Sequence, residues 1–347
     1  MKVAFILPSL LNRGPIVFTR YLVNALIELG VDVSVFYIKP LKELDFNCEC
    51  YKLNFFSPNQ LHEFDIIHTT MLRPDFFGFL HQKALKNRWV VSMHNEISAD
   101  LRFLYPKYKA SFIEFFWRLA LKNTKNIITS SQAQYKYYKR YIGFKKNYGV
   151  IGYGIEKREP NPLSADEKSF FSALKEKYRI IGSCGLLIPR KGFGQLVDFL
   201  SKNKDFAVIL IGSGECEDEL RKQAKILGVE DRFHILGFKR NHIDYYQYFD
   251  IYALTSYSEG FGLAMIEAMS LGLPIVCSNL EIYNDYFDSG QVGLFTPGSK
   301  KELSWALNEV WAGKEIYAEK SKNLFIQKFS SRIMAEKHIE FYKNIFK

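Results

Sequence analysis

The stretch from Ser256 to Ile275 constrains this chain most. It reads Ser-Tyr-Ser-Glu-Gly-Phe-Gly-Leu-Ala-Met-Ile-Glu-Ala-Met-Ser-Leu-Gly-Leu-Pro-Ile. An apolar run, Asp250 to Leu254, leads into it. The chain then turns on Gly260 and Gly262 and takes helical spacing up to Gly272. Pro274 cannot continue that helix, and Ile275 and Val276 open a new strand. Strand, glycine turn, helix, strand is the repeating unit of a parallel α/β sheet. Free amides at a helix N-terminus, with the positive end of the dipole behind them, suit a phosphate. Glycines let a ligand come close to the backbone. Glu259 stands in the turn and Glu267 in the helix. If Gly262 opens the helix, Glu267 lies just over one turn inside it, within reach of a group beyond the phosphate. The plainer alternative is a covering helix with Glu267 in solvent.

The same alternation runs along the whole chain. In the first half, strands are expected at Lys2–Pro8, Val31–Tyr37, Asp65–Thr69, Trp89–Met93, Ile127–Ser131 and Tyr148–Ile151. Helices are expected over Ile16–Leu29, with Pro15 near the first helical position, and over Ala110–Leu121 and Gln132–Tyr141. Two strands end at or beside a histidine, His68 and His94, and strand ends are where open α/β sheets place ligands. Residues 156–168 are polar, hold Pro160 and Pro162, and are expected to be a linker. The second half repeats the pattern, with strands at Arg179–Cys184, Phe206–Ile211, Phe233–Leu236 and Gln291–Thr296. Its helices are Phe193–Leu200, Glu217–Leu227, Lys301–Trp311 and Ile316–Phe329. Ser330 or Ser331 can cap a final helix. A chain of 347 residues suggests two domains. No Gly-x-Gly-x-x-Gly follows the first strand, which argues against a dinucleotide-dependent oxidoreductase.

Charge is unevenly placed. Residues 1–160 carry 23 Lys and Arg against 13 Asp and Glu, and the rest carry 24 against 24. Within 100–146 there are 11 basic residues and two acidic ones, Asp100 and Glu114. The segment is also aromatic, with Phe115, Phe116, Trp117, Tyr135, Tyr137, Tyr138 and Tyr141. We read it as a surface for anionic headgroups, which Lys and Arg attract and Trp and Tyr suit. A solvated charged face is the alternative. Nucleic acid is set aside, because no nucleic-acid motif accompanies the charge. No apolar run reaches transmembrane length. Five scattered cysteines (48, 50, 184, 216, 277) form no Cys-x-x-Cys pair and read as reduced thiols.

The string from Ser256 to Ala268 resembles the Glu-x7-Glu signature of the retaining glycosyltransferases of family 4, in the form Ser-x-x-Glu-Gly-Phe-Gly-Leu-x-x-x-Glu-Ala. The resemblance implies the GT-B architecture: two Rossmann-like parallel-sheet α/β domains facing across a cleft that holds the active site. Residues 1–158 would form the acceptor-side domain and 159–329 the nucleotide-sugar domain, with 330–347 a helix crossing back. It also implies roles. Glu259, with Gly260, Phe261 and Gly262, would lie by the donor sugar. Glu267 would hold the ribose, and Gly212 would line the nucleotide site. His94 matches a Val-x-x-His whose histidine contacts donor sugar or acceptor, and His68 an Asp-x-x-His placed on the acceptor side. Relatives bind the diphosphate with Gly-Arg-Leu-x-x-x-Lys-Gly. Here that stretch is Gly185 to Gly192, where Lys191 matches the lysine and Leu186 stands in place of the arginine. Arg190 is the substitute at hand. Gly14 and Gly262 would add backbone amides, although Pro15 replaces a second glycine and lacks an N–H. Glu281-Ile282 occupies a further Gly-Gly position.

The resemblance thus implies a retaining hexosyltransferase moving sugar from a nucleotide-diphosphate sugar, a UDP-sugar by first guess. The acceptor would be an oligosaccharide or a polyprenyl-diphosphate-linked saccharide in bacterial surface polysaccharide synthesis. The enzyme would sit in the cytoplasm, peripheral on the inner face of the membrane. Metal independence is expected, since the sequence has no Asp-x-Asp and no clustered His and carboxylates, and fixed cations and amides can neutralise a leaving diphosphate. A nucleotide-sugar epimerase would give a product that is still a nucleotide sugar. A degenerate scaffold would bind donor without turnover.

Overall fold

The computed structural model describes residues 1–346 apart from 95, 99, 100, 102–104, 144–146 and 289. They divide into two compact units, 1–156 with 328–347, and 157–327.

The first unit is built on β1 (Lys2–Leu7), α1 (Gly14–Glu28), β2 (Asp32–Tyr37), β3 (Cys50–Lys52), β4 (Ile66–Thr70), α2 (Leu72–Leu80), β5 (Trp89–Met93), α3 (Lys107–Lys122), β6 (Asn126–Thr129), α4 (Gln132–Ile142) and β7 (Asn147–Val150). Its seven strands lie in the order β3-β2-β1-β4-β5-β6-β7, all parallel. β4 and β5 are buried along their whole length. That is what helices on both faces demand, and it explains their unbroken apolar character.

The second unit comprises α5 (Ala165–Lys175), β8 (Arg179–Cys184), α6 (Gly194–Lys202), β9 (Phe206–Ile211), α7 (Glu217–Ile226), β10 (Phe233–Ile235), β11 (Ile251–Leu254), α8 (Leu263–Ser270), β12 (Ile275–Ser278), β13 (Gly293–Phe295), α9 (Lys300–Ala312) and α10 (Lys314–Leu324). Its parallel strands run β10-β9-β8-β11-β12-β13. Order reverses between β8 and β11, so the loops leaving those strands diverge and open a crevice there.

Two expectations need correction. The polar stretch 156–168 is not linker throughout, because α5 begins inside it. Ser164 accepts from the Glu167 amide and Glu167 reaches back to the Ser164 amide, a capping box legible as Ser-x-x-Glu. The helix expected over Ile316–Phe329 is α10 followed by a π turn at Phe325–Phe329.

Beyond that turn the chain belongs to the first unit. The Ile155 amide donates to Phe329 O and the Ser331 amide to Ile155 O, each at 2.9 Å. A β-carbon on Gly154 would stand 2.4 Å from Ser330 O, so only glycine allows the crossing. Ser330 caps α11 (Ser331–Ile345), accepting from the Ile333 amide, and α11 packs on α1.

Candidate active site

The loop leaving β8 turns through a 3-10 turn at Pro189–Lys191 and ends on Gly192, which has φ +63°. A β-carbon there would lie 2.4 Å from Thr255 O. Glycine therefore lets this loop lie directly on the one leaving β11. Two bonds hold them: the Tyr257 amide to Arg190 O at 2.8 Å, and Thr255 Oγ1 to Lys191 O at 3.0 Å. The pairing brings three charges together. Lys191 Nζ is 2.6 Å from Glu259 Oε1, which also accepts from Ser256 Oγ at 2.5 Å. Arg190 Nη1 is 3.7 Å from Glu259 Oε2 and donates to Ser258 O at 2.8 Å. Successive side chains of a 3-10 turn diverge by roughly 120°. Arg190 and Lys191 nonetheless meet, because Glu259 reaches between them and offers each its own oxygen. Its side chain is only 5% exposed. Leu186 is 64% exposed and supplies no donor.

Gly262, at φ +93°, is the N-cap of α8. Its carbonyl accepts from Met265 and Ile266. The amides of Leu263 and Ala264 are thus left without an intrahelical acceptor at the positive end of the helix. Phe261 lends the site no side chain, against expectation. Its ring is buried edge-on to Tyr286, and Tyr283 donates to its carbonyl at 2.9 Å.

Glu267 lies in the middle of α8, where its carboxylate meets a partner that spacing along the chain does not reveal: Oε2 is 2.8 Å from His242 Nε2. His242 precedes a short helical turn, Ile243–Tyr246, in the polar stretch after β10. Only folding pairs these residues. Gly212 fills a backbone crossing, since a β-carbon would stand 1.9 Å from Gly185 O, and its amide donates to Gly237 O. The exits of β8, β9 and β10 are thereby tied into one rim. Cys184 lies on that rim. Burial, then the charge of Glu267, pushes its thiol up to about 12, so it is no nucleophile at neutral pH.

In the first unit, His94 is buried just past the end of β5. Its Nδ1 bonds to the Tyr153 hydroxyl at 2.5 Å, and its Nε2 has no protein partner. Burial, then the nearby His338, pushes its pKa down to about 3. His68 is not placed to meet an acceptor. It is 2% exposed, with Nδ1 on Tyr342 of α11 at 2.5 Å and Nε2 on Ser92 at 2.7 Å, so it ties α11 to the sheet. Gly14 is the first residue of α1, with open space at its β-carbon position. The Ile16 and Val17 amides turn back onto Arg13 O and Pro15 has none, so the amide of Gly14 is what this helix start offers.

The basic aromatic segment is divided between α3 and α4, and its Asp100, Arg102, Lys145 and Lys146 lie outside the described residues. Tyr108, Phe112, Phe115, Phe116 and Leu119 are all exposed at helical spacing. Trp117 points inward and donates to Asp75 at 2.9 Å. Among the described residues no helix is long and apolar enough to cross a membrane, and no three His, Cys, Asp or Glu are grouped to hold a metal ion.

Two parallel-sheet α/β units, the second with a helix start at a topological switch point, are the building blocks of the GT-B fold. Comparison with known proteins agrees. The sequence model of Glycosyltransferase Family 4 matches residues 13–159, and that of Glycosyl transferases group 1 matches 164–325. The O-antigen biosynthesis glycosyltransferase WclY of Escherichia coli is 26% identical, over 100% of this chain and 99% of its own. The N,N'-diacetylbacillosaminyl-diphospho-undecaprenol alpha-1,3-N-acetylgalactosaminyltransferase of Campylobacter jejuni is 21% identical over 82% and 78%. Among solved structures, Anabaena Alr3699/HepE in complex with UDP and glucose superposes with a TM-score of 0.76 at 21% identity, covering 99% of each chain. The chain belongs to the family 4 glycosyltransferases.

Proposed function

We propose that this protein is a retaining, metal-independent hexosyltransferase that takes a nucleotide-diphosphate sugar, a UDP-sugar first among them. Its acceptor is a lipid-linked saccharide of bacterial surface polysaccharide synthesis. One observation carries the reading: Arg190 and Lys191 converge beside the start of α8, with Glu259 held between them. A departing diphosphate develops negative charge there. Two cations and the amides of Leu263 and Ala264 are the groups that would neutralise it, and each such donor is worth about a hundredfold or more in rate. Glu259 then turns to sugar hydroxyls, and Glu267, steadied by His242, accepts from the ribose. His94 is neutral across physiological pH, so what it brings to the sugar or acceptor is hydrogen bonding and not a positive charge, although its Nε2 is buried in this structure. Retention and front-face attack rest on the family resemblance.

The acceptor class is supported by the names of relatives, one in O-antigen synthesis and one acting on a diphospho-undecaprenol saccharide. The exposed stripe of α3, flanked by Lys107, Lys109 and Lys122, supports docking on an anionic membrane, at about 1 kcal/mol per basic residue near the surface. The test is transfer from UDP-, GDP-, dTDP- and CDP-sugars to polyprenyl-diphosphate saccharides on vesicles with excess EDTA. The anomeric configuration of the product is read by NMR. An α-linked product from an α-donor, formed in EDTA, supports the reading. Dependence on added divalent ion, or inversion, overturns those parts of it. Vesicle binding that ignores anionic lipid and salt overturns the membrane part.

A further inference from the structure

The first unit holds a further pocket, which shares Phe115, Tyr137 and Tyr141 with the basic aromatic segment but none of the residues assigned to the donor. A cavity of about 640 Å3 lies between α3, α4 and the segment 96–98, which starts two residues beyond His94. That volume is in the range of pockets that hold small ligands, roughly 300–1,000 Å3. Its polar wall is fixed in advance. Tyr137 Oη and Ser98 Oγ are 2.6 Å apart, Ser98 Oγ donates to Glu114 Oε1 at 2.6 Å, and the Ser98 amide donates to Tyr137 Oη at 3.1 Å. Arg118 Nη1 is 3.6 Å from the same Glu114 oxygen, and its guanidinium lies 4.1 Å from the centre of the Tyr141 ring. Phe115 and Tyr141 give the opposite kind of surface, flat, apolar and exposed at 62% and 37%.

This composition selects its ligand. A phosphate is disfavoured, because Glu96 and Glu114 bring two carboxylates to the lining against one guanidinium that is already paired. An alkyl chain would cover Glu96, Ser111, Glu114 and Tyr137 and offer them no hydrogen bond in return for the water it displaces. A sugar ring satisfies both surfaces. Its hydroxyls donate to carboxylate and to the phenol oxygen and accept from guanidinium, and its C–H face covers an aromatic ring.

We propose that this cavity binds a pyranose unit of the acceptor other than the one glycosylated. The inference rests on the glycosyltransferase reading and extends it. Binding a non-reacting sugar here orients the reacting end, and such remote binding energy is what supports catalysis at the reacting centre.

The test is saturation-transfer NMR of the full chain with methyl glycosides of glucose, galactose, mannose, GlcNAc and GalNAc, each with and without UDP. The expected result is transfer to at least one glycoside that persists when UDP is present. It weakens about tenfold in Glu114→Gln, which loses a charged hydrogen-bonding partner. Ser111→Trp fills the cavity without cutting the Ser98–Glu114–Tyr137 network, and is expected to abolish transfer while UDP affinity and thermal stability stay unchanged. No transfer to any glycoside overturns the proposal, as does transfer that survives Ser111→Trp or is displaced by inorganic phosphate. UDP binding in the same samples reports on the donor-site reading separately.

Discussion

Arg190 is the sharpest point at which to perturb this protein, since the proposed diphosphate site relies on it where Leu186 supplies no cation. In the folded site its Nη1 already sits 3.7 Å from Glu259, with the side chain 24% exposed. A guanidinium bonded to phosphate is a charge-assisted interaction worth about 1.5–3 kcal/mol. Partial exposure places Arg190 in the lower half of that range, so Arg190→Ala is expected to weaken nucleoside diphosphate binding about tenfold, at about 1.4 kcal/mol per factor of ten. Lys191 is closer to Glu259 at 2.6 Å and only 15% exposed. Lys191→Ala also removes the better partner of a buried carboxylate and is expected to cost roughly a hundredfold. Isothermal calorimetry with the diphosphate and with the bare nucleoside separates the effect, because nucleoside affinity is expected to stay the same in both variants. Leu186→Arg in the Arg190→Ala background returns a guanidinium to the loop and is expected to recover most of the loss. Unchanged diphosphate affinity in Arg190→Ala, or an equal loss for the nucleoside, would refute the assignment.

Three further outcomes rest on particular residues. Glu267→Gln is expected to weaken the ribonucleotide about tenfold and the 2′-deoxy nucleotide far less, since the lost bonds are to ribose hydroxyls; calorimetry with both sugars checks this. Asp75 is buried and accepts from Thr69 and Trp117, and burial pushes its carboxyl up to about 7 from an ordinary 3.8. The folded state therefore binds this proton more tightly than the unfolded one. Stability falls as pH rises from about 4 to about 7, by roughly 4 kcal/mol in all, and Asp75→Asn is expected to flatten that part of a melting-temperature profile. His94 and His338 shift the other way, down to about 3 and about 4 by burial. The stability they contribute is present above pH 6.5 and is lost below it, by about 2 kcal/mol per histidine at pH 5. His338→Gln is expected to make the acid side of the melting profile shallower; an unaltered slope would show that His338 is charged in the fold.

Much of the fold was legible in the chain. Period and punctuation located the strands, and β8 and β9 fall within the limits expected of them. The start of α8 could be read from Gly262 and Pro274. Other features needed three dimensions. Arg190 and Lys191 are neighbours in a turn, and nothing in their order says that they share a carboxylate 68 residues on. His242 carries no local signal, because its role comes from a loop after β10 folding against a helix after β11. His68 misled for the same reason. A histidine at a strand end reads as a ligand, but Tyr342, 274 residues away, takes its Nδ1. Phe261 belongs to the signature string, yet Tyr283 and Tyr286 draw its ring into the core. The opening of α5 was missed although Ser164 and Glu167 announce it, because the prolines before it made the whole polar stretch read as linker.

The measurement that bears most directly on the central claim is calorimetric titration of UDP, GDP, dTDP and CDP into the protein in EDTA, repeated with magnesium. The account predicts tight binding of one diphosphate, equal with and without the metal, and lost in Lys191→Ala. Binding that appears only with magnesium, or none by any of the four, would contradict a diphosphate site built from Arg190, Lys191 and the start of α8.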